Sequence, residues 1–135
     1  MELSEYRPIT LPLEIAVGRK NYRLSSNNQK KWYFHLEYHI KARFQQVAQV
    51  ILIMERWKPI EQFPIGIRYE YWLPPNADYE NFHALVCKYF QDAMVQMKLI
   101  PDDNPVYIVE STVRYMGTRY KNDGIPEVII SLYEV

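Results

Sequence analysis

The sequence predicts a single α/β domain, a sandwich in which two long helices pack against a mixed sheet. Two stretches repeat apolar residues at the spacing of a buried helix face, and shorter stretches alternate apolar and polar residues or are rich in β-branched types. They follow one another in the order β-α-β-α-β-β, which favours an α/β sandwich. A chain of 135 residues can bury one core, so residues 1–135 are expected to form one domain.

The first strand is predicted over residues 9–17, which are apolar, partly alternating and include β-branched side chains. Pro12 favours an edge position or a bulge there, because proline donates no ladder hydrogen bond. Residues 18–28 are polar and rich in turn formers, so an exposed loop is expected. Ser26 or Asn28 would cap the helix that follows.

A long first helix is predicted over residues 31–57. Its apolar side chains recur at steps of three and four along one face: Tyr33, Leu36, Ile40, Phe44, Val47, Ile51 and Met54. His35 and His39 are four residues apart on this helix. A zinc-protease helix would carry Glu directly after the first His, but Leu36 stands there, so a surface or packing role is expected for both histidines.

A strand is predicted over residues 65–73, because Ile65, Ile67, Tyr69, Tyr71 and Leu73 alternate with other residues and would share one face. Two more strands are predicted over residues 106–116 and 127–135. Between them, Asp123-Gly124 offers the residue types of a hairpin turn. The sheet is therefore expected to combine strands from both halves of the chain.

The chain is organised around residues 78–103, where an amphipathic helix is predicted. Asp78 stands at the N-cap position and Glu80 in the first turn, where a carboxylate suits the positive end of the helix dipole. Pro101 is expected to stop the helix, and Asp102 and Asp103 follow at once. The apolar stripe comprises Phe82, Leu85, Val86, Tyr89, Phe90, Ala93, Met94 and Met97.

Acidic pairs thus flank both ends of this helix. A helix of about eighteen residues is roughly 27 Å long, so the pairs could meet only if a neighbouring strand or a second subunit brings them together. Carboxylates packed together repel one another unless a cation is bound, and Mg²⁺ prefers such oxygen ligands. The pairs favour a metal site, although acidic helix ends are also common for structural reasons.

Formal net charge is zero, which argues against an indiscriminate polyanion binder. Residues 1–60 nevertheless carry ten Lys or Arg against five Glu, a net of +5, and the remainder carries −5. Such a division suits a site where acids hold a metal and bases hold phosphates, but two solvated faces would also produce it. In residues 19–32, cations alternate with aromatic side chains, which suits DNA binding or a solvated loop: Arg19, Lys20, Tyr22, Arg23, Lys30, Lys31 and Trp32.

The sequence contains no motif for several other kinds of active or binding site. The chain has no glycine-rich phosphate loop, no Cys/His set for structural zinc and no Gly-x-Ser-x-Gly element. Cys87 lies inside the central helix and is expected to be a buried structural thiol. No apolar run approaches the ~18 residues of a membrane span and the start lacks signal-peptide form, so a soluble cytoplasmic protein without a membrane partner is expected.

The series Asp78-Tyr79-Glu80-Asn81, Lys88, Asp92 and Asp102-Asp103 resembles the Asp-x-Asp-Asn, Lys, Asp, Asp-Asp series of RusA-like Holliday junction resolvases. The order of elements and the loop at Asn21-Tyr22 are similar as well, so the resemblance covers nearly the whole chain. Glu80 stands where the family has Asp, about four extra residues precede Lys88, and Lys98 stands where glycine is common. A different placement of the insertion puts Ala84 at the lysine position.

This resemblance implies a Mg²⁺-dependent endonuclease, with Mn²⁺ as a possible substitute, that cuts opposed strands of branched DNA as a homodimer in recombination and repair. Asp78, Glu80 and Asp103 match the metal-binding acids, and Lys88 matches the lysine near the cleaved phosphate. Family members are often encoded by phages or prophages. The DNA backbone would lie along residues with basic or aromatic side chains: Arg19, Lys20, Tyr22, Arg23, Lys30 and Lys31.

A second hypothesis keeps the fold without the cleavage. In that case the basic loop recognises branched DNA or a partner, and the acids only cap and solubilise. His83 could carry a proton, but a lone histidine near a helix start is more often a surface group.

Overall fold

A computed structural model describes residues 2–74, 77–118 and 125–135 of the chain. Each strand and helix in these ranges is numbered in chain order. The elements are β1 (Ile9–Pro12), β2 (Glu14–Val17), β3 (Lys20–Arg23), α1 (Ser26–Gln29), α2 (Phe34–Met54), β4 (Ile65–Trp72), α3 (Tyr79–Gln96), β5 (Ile108–Gly117) and β6 (Glu127–Glu134).

Four strands form a mixed sheet in the order β1-β6-β4-β5. β4 and β5 are parallel and are joined through α3, the kind of crossover that parallel neighbours require. β6 runs antiparallel to both β1 and β4. The predicted α/β class with a mixed sheet is therefore confirmed.

The two C-terminal strands do not pair with each other, because β4 lies between them. The predicted hairpin turn at Asp123-Gly124 falls outside the described residues. β2 and β3 form a separate two-stranded hairpin. This hairpin was missing from the predicted order of elements.

β4 is the centre of the sheet, and its predicted alternation is confirmed. Ile65, Ile67, Tyr69 and Tyr71 are at most 1% exposed, whereas Arg68, Glu70 and Trp72 are only partly buried. The buried side chains face the helices: the rings of Tyr69 and Phe90 of α3 are 6.5 Å apart. Helix α2 packs beside α3, where Gln45 Nε2 donates to the Tyr89 carbonyl oxygen at 3.1 Å. The core thus lies between the helices and one sheet face.

The N-terminal prediction was right in part. Residues 9–17 are extended but divide after Pro12 into β1 and β2, so Pro12 ends a strand at the sheet edge, as expected. Residues 18–28 are not simply a loop, because Gly18, with φ +64°, turns the chain into β3. Neither Ser26 nor Asn28 caps the long helix α2, whose N-cap is Tyr33 without a side-chain cap bond. The short helix α1 lies before it and is capped by Ser25, which accepts a hydrogen bond from the Asn28 N–H at 3.2 Å.

Helix α2 is shorter than the predicted span of residues 31–57. Ile40 and Phe44 are fully buried, as expected from the apolar stripe. Tyr33 and Met54 were assigned to that buried face but are 68% and 73% exposed, because they stand at the two ends of the helix, beyond the core. His35 and His39 are exposed, in agreement with the predicted surface role.

Helix α3 has the predicted length of eighteen residues and buries the predicted stripe except Met97, which is half-buried at the C-cap. It ends at Gln96, before Pro101, because Lys98 adopts a left-handed conformation with φ +60°. The Leu99 N–H then donates to the Met94 carbonyl oxygen at 2.9 Å, which closes the helix terminus. Among the helices in the described ranges, none is long and apolar enough to cross a membrane.

Candidate functional site

Asp78 and Glu80 lie at the exposed N-terminus of α3. Asp78 Oδ1 accepts a hydrogen bond from the Glu80 N–H at 3.0 Å, so the predicted N-cap is confirmed. This contact uses one carboxylate oxygen of Asp78. The Glu80 side chain is exposed beside it.

Residues 19–32, which we call the basic segment, contact this acidic helix start, although 55 residues separate Ser26 from Asn81. Ser26 Oγ donates to the Asn81 carbonyl oxygen at 3.2 Å, which ties α1 to the first turn of α3. Lys30 and Lys31 follow α1 and are exposed. The short helix that precedes these two lysines therefore contacts the first turn of α3, in which Glu80 lies.

Asp102 and Asp103 lie in the turn between α3 and β5. Asp102 Oδ1 accepts from the Asp103 N–H at 2.8 Å, and Asn104 donates to Asp102 Oδ2 at 3.2 Å. The bond from the Asp103 backbone lowers the pKa of Asp102. Asp102 thus has a structural task in the turn, while the Asp103 side chain is exposed.

The charge of Asp103 acts on a thiol of α3. Burial raises the pKa of Cys87, and the negative charge of Asp103 adds to that rise.

The predicted metal ligands still do not form a cluster within one chain. In residues 2–74, 77–118 and 125–135, no group of three or more His, Cys, Asp or Glu side chains is arranged to hold a metal ion. Asp78, Glu80 and Asp103 are suitable ligands by chemistry, because carboxylate oxygens are what Mg²⁺ prefers. A site completed by a second subunit stays a prediction.

Lys88 lies on the side of α3 that faces α2. It lines an open groove of about 310 Å³ together with residues of both helices. Cys87, the preceding residue, instead faces Tyr69 and Tyr71 of β4. The residues around Lys88 in the groove are Gln29, Phe34, Glu37, Tyr38, Lys41, Leu85 and Tyr89.

The predicted DNA-binding residues differ in exposure and in whether their side chains already contact other residues. Arg19, Lys20, Lys30 and Lys31 have exposed side chains. Arg23 is also exposed, but its Nη2 donates to Glu14 Oε1 at 3.0 Å. Tyr22 is half-buried and packs edge-on against Trp32, with ring centroids 6.3 Å apart, so its ring is not free for base stacking.

Three exposed aromatic residues at the start of α2 were missed as candidate binding residues. Tyr33, Phe34 and Tyr38 are 68%, 78% and 63% exposed. They follow Lys31 in the chain, and two of them line the groove with Lys88. The sequence could have identified two of them, because Phe34 and Tyr38 are four residues apart and both fall outside the apolar stripe of the helix.

A cluster of polar side chains joins β4 to α3. Gln91 Nε2 donates to the Tyr69 hydroxyl at 3.2 Å and to Cys87 Sγ at 3.1 Å. Burial raises the pKa of both Tyr69 and Tyr71, so both phenols stay protonated. Cys87 is half-buried rather than fully buried as predicted, and burial raises the pKa of its thiol.

His83 belongs to this cluster and is half-buried, contrary to the expectation of a surface group. Its Nδ1 is 2.7 Å from the Tyr71 hydroxyl, and its ring packs edge-on against Tyr69 at 4.7 Å. Burial lowers the pKa of His83. The sequence pattern missed this because the packing partners lie on β4.

Acidification is therefore expected to destabilise the protein through His83. Because the pKa is lowered in the folded state, the unfolded chain takes up the proton first, and stability falls as the pH drops below about 6.5. Thermal unfolding of the wild type at pH values on either side of this point measures the loss. His83→Asn should flatten the dependence and His35→Asn, at an exposed position, should not. If the unfolding temperature changes equally with pH in both variants, the pH dependence does not come from His83.

No protein-family model matches the chain, and a search of curated proteins finds no match. The fold defines an α/β protein with a mixed four-stranded sheet. Its candidate site combines an acidic helix start with exposed cations and aromatic side chains. The resemblance to RusA-like resolvases depends on sequence motifs alone.

Proposed function

We propose that this chain is a Mg²⁺-dependent, structure-specific endodeoxyribonuclease that resolves four-way DNA junctions as a homodimer. The observation that supports this most directly is the hydrogen bond from Ser26 to Asn81, at 3.2 Å, which ties the basic segment to the acidic start of α3. Phosphodiester hydrolysis needs both kinds of group in one place: cations on the backbone and acids near the scissile phosphate.

The roles proposed for individual residues follow from their chemistry. Asp78, Glu80 and Asp103 would hold Mg²⁺, which supplies an activated water and stabilises the leaving oxygen. Lys30 and Lys31 would contact the DNA backbone next to the acids. The exposed rings of Phe34 and Tyr38 suit stacking with the unpaired or splayed bases of a junction.

A homodimer fits this activity because resolution requires two symmetric incisions. A twofold assembly supplies two equivalent sites, one for each strand. It also offers a way to complete the set of acids, which do not cluster within the described part of one subunit. We expect such a protein to act in the cytoplasm, where branched DNA arises.

A second candidate function is binding to branched DNA without cleavage. It is favoured by the structural use of two acids: Asp78 caps α3 and Asp102 closes a turn. On this alternative, the basic segment and the exposed aromatic side chains recognise the junction, and the acids need no metal.

A gel assay with a synthetic four-way junction separates the two functions. The junction is labelled on each strand in turn and incubated with the purified chain in Mg²⁺, in Mn²⁺ or in EDTA, with linear duplex of the same sequence as control. The endonuclease should give paired nicks at symmetric positions in opposed strands, only with metal and only on the junction. A shifted but intact junction under all metal conditions would rule out cleavage and favour the binding protein.

A further inference from the structure

The outer edge of β5 is open. Among the residues that the structure describes, β5 pairs only with β4, so one side of this ten-residue strand presents unpaired backbone groups. The strand contains neither proline nor lysine, which natural proteins use to protect edges. At the opposite edge of the sheet, β1 is only four residues long and ends in Pro12. β5 is therefore the edge suited to pairing with another strand.

The sequence of β5 is complementary to itself in the antiparallel direction. Its middle reads Glu110, Ser111, Thr112, Val113, Arg114, so a twofold rotation at Thr112 exchanges the acid and the base. We infer that β5 of a second copy of this chain pairs antiparallel with β5 around a twofold axis at Thr112, joining two sheets into one. An isologous interface of this kind presents the same strand from each subunit.

The charges support this register. Glu110 of each copy stands opposite Arg114 of the other, so the twofold axis generates two ion pairs on the sheet face turned away from the helices. Within the described part of the chain, Arg114 forms no ion pair, even with Glu70, its neighbour in the β4 register. The Glu110 carboxylate accepts a hydrogen bond from the Tyr133 hydroxyl at 2.6 Å, so it reaches back across β4 and has to turn toward the open edge to meet Arg114 of the second copy.

The strand geometry fits as well. The pairing of β5 with β4 is regular from Glu110 to Tyr115 and irregular only outside that run, so the complementary segment is a continuous ladder. Tyr115, at the end of this run, is 45% exposed in the single chain.

The alternative docking face is on α2, where Val50 and Ile53 are 55% and 65% exposed beside a groove of about 530 Å³. That face offers no comparable charge pattern for a second copy. This inference rests on the proposed function in that β5 would form the dimer interface of the nuclease. It is tested separately, because assembly of the chain is measured in the absence of DNA.

A charge exchange tests the inference by sedimentation or light scattering of the full chain. Arg114→Glu sets acids opposite acids, and Glu110→Arg sets bases opposite bases, so each single variant should dimerise about tenfold or more weakly than wild type. Mixing the two single variants should restore the dimer, because every pair across the axis is again opposite in charge. Circular dichroism confirms that each variant is folded. A wild type that stays monomeric, or a mixture no tighter than its components, would overturn the inference.

Cross-linking tests the position of the axis. Thr112→Cys should give a disulfide-linked dimer under mild oxidation, because residue 112 of one copy would lie opposite residue 112 of the other. Val50→Cys, on the exposed face of α2, is the matched control and should remain largely monomeric. Cys87 is present in both variants and is half-buried, so it contributes equally. Efficient cross-linking through Val50→Cys and none through Thr112→Cys would assign the interface to α2 and refute β5 pairing.

Discussion

Asp78→Asn is expected to reduce Mg²⁺-dependent junction cleavage by about 100-fold or more, since even residues that only support metal ligands cost 10–100-fold when changed. Asn is as good an N-cap as Asp, so the hydrogen bond from the Glu80 N–H can be kept. The substitution therefore removes the charge and the metal affinity but preserves the helix start. Initial cleavage rates on a labelled four-way junction, compared at equal enzyme concentration, measure the effect.

Two controls make this result specific. Glu61→Gln removes an exposed carboxylate outside the acidic series and should leave cleavage near the wild-type rate. Thermal unfolding of Asp78→Asn should lie close to wild type, whereas Asp78→Ala should lose about 1 kcal/mol with the cap. If Asp78→Asn cleaves as fast as Glu61→Gln, Asp78 has only its capping role.

The sequence was informative wherever the determining contacts are local. Strand β4 and helix α3 were predicted nearly residue by residue, because alternation and helical spacing each record one buried face. Asp78 was recognised as a cap because its bond reaches only two residues along the chain. The end of α3 was misplaced because Lys98, a residue with no turn signature, adopts the left-handed conformation.

Features that depend on distant residues could not be predicted in this way. β3 was missed for another reason: it pairs with the adjacent strand β2, but its residues are mostly polar and show no strand pattern. The placement of β4 between β5 and β6 depends on strand order, which no local pattern records. For the candidate site, the acids and bases were found from the sequence, but the contact between Ser26 and Asn81 needed the fold.

Gly66→Ala is expected to destabilise the fold by about 2 kcal/mol, an overpacking effect. Gly66 stands in register with Tyr133 on β6 and Glu110 on β5, so the three residues form one row across three strands. The Tyr133 ring lies over Gly66 to reach Glu110, and a methyl group at residue 66 would overlap that ring. Chemical denaturation of wild type and variant measures the difference.

A double-mutant cycle identifies the cause. In a Tyr133→Ala background the ring is gone, so adding Gly66→Ala should be nearly neutral, with a coupling of about 2 kcal/mol between the two positions. Gly18→Ala is the matched control, because its φ is +64° and its Cβ would meet no atom within 4 Å. That substitution should cost about 1 kcal/mol through the backbone alone and should cost the same in both backgrounds. If Gly66→Ala lowers the free energy of unfolding equally in both backgrounds, its effect comes from the strand backbone. Contact with the Tyr133 ring would then not be the reason that residue 66 is glycine.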